Sequence, residues 1–303
     1  MILRIIIHVV LLLVLPPLLL GVINKVKSWF GGRVGPPVLQ TYYDLIKLMR
    51  KGLVLSTTTT WVFCAGPVVS LSTVLLAGLL VPIGIFDAPI AFSGDLILFA
   101  YLFGLARFFT TAAALDTGSS FEGMGAAREV TFACLSEPTI FFAFLVLAKV
   151  SGSLTLTNML HGHAGGFSAA VAAPLVLVAI GLFIVLLAET CRIPVDDPNT
   201  HLELTMIHEV MVLDHSGPLL GIIQYAASIK LFVIGAVLLH IIAPFATDMI
   251  WLNWPLFIAE LLGLAALIGV VESVMARLQM AHVPYLLTTA LLLCGFGFLL
   301  MVR

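Results

Sequence analysis

The chain has 303 residues, of which 61% are hydrophobic and only 10% charged, with a formal net charge of −2. Soluble domains average roughly 45–50% apolar residues, so the composition excludes an ordinary soluble protein, and the near-neutral charge excludes a nucleic-acid-binding role. The class it leaves is an integral membrane protein.

Apolar runs of about 20 residues, enough to cross roughly 30 Å of hydrocarbon, fall at 2–23, 61–83, 95–115, 129–150, 170–190, 218–245, 255–275 and 284–302. Backbone groups in hydrocarbon must be satisfied within their own segment, and these runs do not alternate. They predict an all-α, polytopic fold: one integral-membrane domain over 1–303 with eight transmembrane helices. The first run has Arg4 near its start, but it is too long for a secretory leader and lacks a small-x-small cleavage site, so it reads as a helix.

The segment 24–60, "NKVKSWFGGRVGPPVLQTYYDLIKLMRKGLVLSTTTT", follows. After the Gly31-Gly32 and Pro36-Pro37 breakers, residues 38–51 place Val38, Tyr42, Leu45 and Met49 at helical spacing opposite Lys47 and Arg50. That pattern predicts an amphipathic helix in the membrane interface; a solvated basic connector is the alternative. Arg33, Asp44 and Lys47 are candidate docking residues for a soluble partner. Basic residues are distributed asymmetrically: Lys25, Lys27, Arg33, Lys47, Arg50, Lys51, Arg128, Arg192 and Arg277 fall on one side, and Arg4, Lys149 and Arg303 on the other. By the positive-inside rule the first side is cytoplasmic and both termini are periplasmic.

Ionisable residues inside the spans need a partner or a purpose, because a charge in hydrocarbon is costly. At 1.5 Å of rise per residue, Glu189 and Glu272 lie within about 5 Å of the cytoplasmic end, Arg107 and Glu137 at about 12 Å, and Lys230 and Glu260 at about 18–22 Å. Each of the two deeper tiers holds one acid and one base. They read either as neutralising pairs, Arg107 with Glu137 and Lys230 with Glu260, or as a protonatable ladder toward the midplane. Pro138 removes a backbone donor beside Glu137 and loosens that turn. The Gly-rich "HGHAGG" at 161–166 reads as a polar loop.

The stretch "AETCRIPVDDPNTHLELTMIHEVM", residues 188–211, gathers acids where the fifth run stops. Thr200 and Glu203 fit a capping box, with Pro198 ahead and Gly217-Pro218 behind, and predict a short cytoplasmic helix over about 201–215. On it His201, His208 and His215 share one edge, Glu203 and Asp214 the opposite one, and Glu209 lies between. Histidines seven residues apart are about 10.5 Å apart along a helix axis, too far to share a metal, and none is expected. Cys64, Cys134, Cys191 and Cys294 occur singly, without C-x-x-C spacing for zinc or an iron–sulfur cluster. Neither a phosphate loop nor a transporter-type internal repeat is found.

Three motifs, "GGRVGPPVLQTYYDLIKL", "GAAREVTFACLSEP" and "AETCRIPVDDPNTHLEL", resemble in their order the complex I membrane subunit family known as subunit 1 or NuoH. The resemblance covers nearly the whole chain. Glu189, Arg192, Pro194, Asp196, Pro198 and Glu203 match the family's loop pattern. Asn199 and His201 stand where that pattern carries acids, and Glu272 stands where it tends to carry arginine. With "RIPVDDPNTHLELTMIHE" and "VESVMARL", the chain is more similar to the membrane subunits of group 4 energy-converting nickel–iron hydrogenases, of the formate hydrogenlyase subunit 4 and hydrogenase-4 component C type.

That resemblance implies a multi-pass subunit of a bacterial or archaeal cytoplasmic (inner) membrane with no catalytic centre and no cofactor of its own. Its implied partners are soluble NiFe hydrogenase large and small subunits, iron–sulfur subunits and antiporter-like membrane subunits, with the NiFe centre and iron–sulfur clusters held by those partners. The implied function is anchoring that module and coupling its electron transfer to translocation of H⁺ or Na⁺. Arg107, Glu137, Glu189, Arg192, Asp196, Glu203, Glu209, Asp214, Lys230, Glu260 and Glu272 would form the path, and loops 24–60 and 191–217 would dock and couple. The alternative is the quinone-chamber subunit of a complex I NADH:quinone oxidoreductase.

Overall fold

The computed structural model describes residues 2–161, 169–196, 206–243, 247 and 249–302. Its helices are α1 (Ile2–Phe30), α2 (Gln40–Met49), α3 (Trp61–Leu80), α4 (Asp95–Asp116), α5 (Ser120–Ser151), α6 (Leu156–His161), α7 (Ala169–Glu189), α8 (Gly217–Ile242), α9 (Asn253–Val274) and α10 (Val283–Val302). No β-strand occurs among the described residues. Eight of the helices, all but α2 and α6, are long and apolar enough to cross a membrane, as the hydropathy runs predict.

Two helices overrun the predicted spans. α1 continues to Phe30 through Lys25, Lys27 and Trp29, and α5 starts at Ser120 rather than near 129. Hydropathy marks only the part of a helix that matches hydrocarbon, whereas the backbone ladder carries on through polar residues.

Local chemistry fixes where the helices meet. Thr60 caps α3, its hydroxyl accepting from the Val62 amide at 3.3 Å. The Asp116 carboxylate at the end of α4 accepts from the Thr60 amide at 2.6 Å and its hydroxyl at 2.8 Å, so α3 starts where α4 stops. Small residues then let backbones approach, the usual device where lipid removes the hydrophobic drive between helices. A Cβ on Gly66 would lie 2.7 Å from the Ala113 Cβ on α4, and one on Gly181 of α7 would lie 2.4 Å from the Cys294 sulfur on α10. α8 is the central helix: 78% of its apolar window is buried, against 22–50% for the others.

Within the segment 38–51 the structure has a helix, α2, ten residues packed across α1 and α8. Its Tyr42 hydroxyl donates to the Val14 carbonyl of α1, and the α8 surface at Gly221 faces Leu48 and Met49. At the far end of the bundle from Glu189, the turn after α3 folds inward. Phe86 stacks on Trp254 at 4.1 Å, and the Gly84 carbonyl lies within reach of His161 Nε2 at 3.0 Å and His240 Nε2 at 2.9 Å.

The predicted helix over 201–215 requires a correction. Residues 197–205, with Glu203 and His201, lie outside the described residues, and 206–216 holds a 3-10 turn at Glu209–Val212 with turns around it. The reason is competition for amides. Asp196 Oδ2 accepts from the Ile207 and His208 amides at 3.1 and 3.2 Å, and Glu122 accepts from the Asp214 amide at 2.9 Å. Carboxylates take the donors that helical carbonyls would have taken, and Met206, Ile207, Val210 and Met211 are buried against the bundle. α7 therefore ends inside the protein, with the connector folded beneath it.

Candidate functional site

Arg107 on α4 is the hub of a buried ion-pair network. Its Nε donates to Glu129 Oε1 at 3.0 Å, its Nη2 to Glu189 Oε1 at 2.6 Å, and its Nη1 pairs with Glu137. Glu129, Ala133, Ser136 and Glu137 recur on one face of α5, at the spacing that stacks side chains turn upon turn. The Ser136 hydroxyl also donates to Glu189 Oε1 at 2.6 Å, and Lys230 Nζ on α8 holds Glu189 Oε2 at 2.6 Å. Three helices thus converge on Glu189, the last residue of α7.

The network continues into the connector. His208 Nε2 lies 3.0 Å from Glu129 Oε2, and its Nδ1 lies 3.6 Å from Asp196 Oδ2. Asp196 Oδ1 receives Arg277 Nη2 at 3.1 Å. The carboxylates of Glu129, Glu137, Glu189 and Asp196 face the fixed cations Arg107, Lys230 and Arg277, and an imidazolium at His208 balances them.

The shifts in the connector agree with that balance. Burial works against a charged His208, yet the Glu129 and Asp196 carboxylates around it outweigh burial and hold it well above the usual histidine value. Burial likewise opposes ionisation of Asp196, but His208 and the two amides lower it below the usual carboxylate range. The Cys191 thiol is pushed up by burial, and His215, stacked on Phe63 at 3.9 Å, is pushed down by burial.

A second cluster lies beside the first. Glu272 on α9 is ion-paired with Lys27 of α1, Nζ to Oε2 at 2.7 Å, and accepts from Arg192 Nη1 at Oε1 at 3.2 Å. It ties α1 and α9 to the start of the connector.

Two cavities meet at the hub. One, of about 160 Å³, runs between α3, α4, α8 and the connector and reaches His208, Glu209, His215 and Gln224. The other, of about 280 Å³, lies between α4, α5, α7 and α8 among Phe99, Phe141, Phe144, Ile234 and Val237. Phe103, Arg107 and Glu189 line both, so the ion pairs form the partition. Glu137 faces the second cavity with its side chain 47% exposed on the helix-bundle surface. Chemically, this is a chain of acids and bases in contact, bordered on two sides by cavities, the second of them lined mostly by apolar side chains.

The structure brings Arg107, Glu137, Glu189, Lys230 and Asp196 together and sets Arg192 and Glu272 beside them. It corrects the depth tiers: Lys230 pairs with Glu189, and Glu260 makes no polar contact among the described residues. The cause is that α7 ends within the bundle, so Glu189 is not a surface residue. Glu209 borders the first cavity, while Asp214 is exposed and contributes its amide. Arg33, Asp44 and Lys47 are exposed, and Asp44 accepts from Gln40 at 2.9 Å. Sequence reasoning missed Glu129, His208, Ser136, Arg277 and Lys27 as members. The spacing of Glu129 to Glu137, eight residues on one helical face, was the available signal for the first. Among the described residues no group of three or more His, Cys, Asp or Glu side chains converges as metal ligands.

The comparisons with known proteins point one way. The family model described as "NADHdh: NADH dehydrogenase" matches residues 2–303. Hydrogenase-4 component C of Escherichia coli (strain K12) is 33% identical over 236 residues, 78% of this chain and 73% of that one. Formate hydrogenlyase subunit 4 of the same organism is 29% identical over 293 residues, 96% of this chain and 94% of that one. Among solved structures, a chain of the membrane-bound sulfane sulfur reductase, an archaeal respiratory membrane complex, superposes with a TM-score of 0.82 over 99% of both chains at 21% identity, a likeness of fold.

Proposed function

Since this chain belongs to the NADH dehydrogenase family, we propose that it is the membrane subunit of a hydrogenase-type respiratory complex and couples electron transfer in docked soluble subunits to translocation of H⁺ or Na⁺. The observation that carries this reading is the continuous ion-pair chain from Arg277 and Asp196 in the loops, through His208, Glu129 and Arg107, to Glu189, Lys230 and the half-exposed Glu137. A unit charge arising about 10 Å from such a carboxylate acts on it by between about 1 and 2 kcal/mol at an effective dielectric of about 20. That moves its proton affinity by roughly one pKa unit. A redox-linked charge change at the connector is thereby felt at the partition between the two cavities.

In this reading the connector and the exposed turn at Arg33 face the cytoplasm, both termini face the periplasm, and α2 lies along the cytoplasmic interface. The membrane is the inner membrane of a bacterium or the cytoplasmic membrane of an archaeon. The NiFe centre and iron–sulfur clusters belong to soluble partners docked on the loops around Arg33, Asp44 and Lys47, and an antiporter-like membrane subunit covers the mouth at Glu137. The hydrogenase-type reading is preferred to a quinone chamber because Glu272, where the complex I pattern tends to carry arginine, is neutralised by Lys27 and Arg192.

The test is purification of the native complex through a tag on this chain, with metal and quinone analysis. Nickel and iron in the purified complex, with hydrogen evolution from a donor and no bound quinone, is the expected result. Bound quinone without nickel overturns it.

A further inference from the structure

The described carboxylates on the membrane-crossing helices are partnered with one exception. Asp95 accepts from the Leu156 amide, Asp116 from Thr60 and Glu122 from the Asp214 amide, while Glu129, Glu137, Glu189 and Glu272 are ion-paired. Among the described residues Glu260 on α9 finds no hydrogen-bond partner and no ion pair, and its Oε1 is occluded. It stands about 10 Å inside the start of the helix at Asn253, in a segment apolar enough to span a bilayer. The basic residue at the N-terminal end of α1, Arg4, is engaged over the Phe86 ring at 5.3 Å.

The surroundings of Glu260 describe an uncovered helix face. Ala259, Gly263 and Leu267 are exposed, and nothing lies within 4 Å of the position a Cβ on Gly263 would take. Acyl chains cannot donate to a carboxylate, and an unpaired charge in hydrocarbon is among the most costly arrangements a membrane protein can adopt. Ala259 and Gly263 lower the surface beside the acid, so another helix can approach closely. The charge complementary to a lone carboxylate at this depth is a lysine or arginine on that helix. This face is separate from the mouth at Glu137: α9 packs on α1 and α8, whereas α5 packs on α4, α7 and α10.

We propose that the Glu260 face of α9 is a second intramembrane docking surface, occupied by a transmembrane helix of another subunit whose lysine or arginine pairs with Glu260. The pairing is independent of the ion-translocation reading, which rests on other residues.

The test uses the intact complex in native membranes. A benzophenone probe is attached at Ala259→Cys in a background lacking the native cysteines, and the photo-adduct is mapped by peptide mass spectrometry. The expected adduct is with a transmembrane segment of a different subunit, within two helical turns of a lysine or arginine. Glu260→Lys should reduce its yield by about tenfold or more, since breaking a buried charge pair weakens association at least that much, and exchanging the partner's basic residue for glutamate should restore it. If Glu260→Lys fails to insert, Glu260→Gln, which keeps size and hydrogen bonding, should still lower the yield. Adducts with lipid alone, adducts with a second copy of this chain, or a yield unchanged by both Glu260 variants would overturn the proposal.

Discussion

Replacing Lys230 with methionine removes the cation from Glu189 Oε2 while keeping an apolar stem of similar length. Two unit charges 2.6 Å apart attract by roughly 6 kcal/mol at an effective dielectric of about 20. The side chains are 20% and 5% exposed, so solvent screens them little. Desolvation offsets part of the attraction, and Lys230→Met should destabilise by about 3–5 kcal/mol, the usual consequence of stranding one member of a buried pair. Arg107 and Ser136 remain on the other Glu189 oxygen, which places the loss toward the lower end. Lys230→Met with Glu189→Gln should recover most of it, because the amide oxygen still accepts from those donors. Lys230→Met with Glu260→Gln should recover none. The assay is the yield and thermal midpoint of the complex in mild detergent at matched expression. Rescue through Glu260 but not through Glu189 would refute the network as described.

Further outcomes follow from the connector, the surface and the packing. His208 is held above the ordinary value of about 6.5, so its contribution is fully present below that pH and is lost as pH rises through its folded value. Asp196 is held below about 3.9, so its contribution is present above that pH and is lost as pH falls through its folded value. Protease access to the connector should therefore rise at both extremes, and His208→Gln should abolish the pH dependence of the alkaline limb alone; an unchanged alkaline limb contradicts the assignment. Arg33→Glu should release soluble subunits from washed membranes, and their retention through a salt wash removes that loop from docking. Gly66→Val should force α3 from α4 at the Ala113 contact and lower stability by about 1–3 kcal/mol; a normal thermal midpoint would show that the contact yields freely.

The spans were legible because a bilayer leaves one solution for runs of this length, and α2 because Tyr42, Leu45 and Met49 share a face. The depth of a residue along its own helix was legible too, but not which neighbour it faces, nor where neighbouring helices stop. By hydropathy Lys230 and Glu189 fall in different tiers, because the end of an apolar run looks like the end of the membrane. In the fold, Cys191 to Asp196 and Met206 to Met211 tuck under α7, and Glu189 becomes an interior residue. That also explains two of the acids where the run stops: Glu189 meets cations from α4 and α8, and Asp196 one from the loop after α9, rather than water. Glu129 is not legible as a member because it begins the apolar stretch and resembles its polar boundary. The capping box at Thr200 misled for residues 206–216 because long-range carboxylates, invisible to local pattern, claim the amides of Ile207, His208 and Asp214.

In the proposed function, the Arg107 network conveys a redox-linked charge change to a translocated ion. The complex reconstituted in liposomes, with donor oxidation and ion uptake recorded together, measures the number of ions moved per electron. With Glu129→Gln, which breaks the link between His208 and Arg107, compared at matched amounts of assembled complex, we expect continued donor oxidation with a ratio well below that of the unmodified complex. An unchanged ratio would show that ions move without this network and would contradict it.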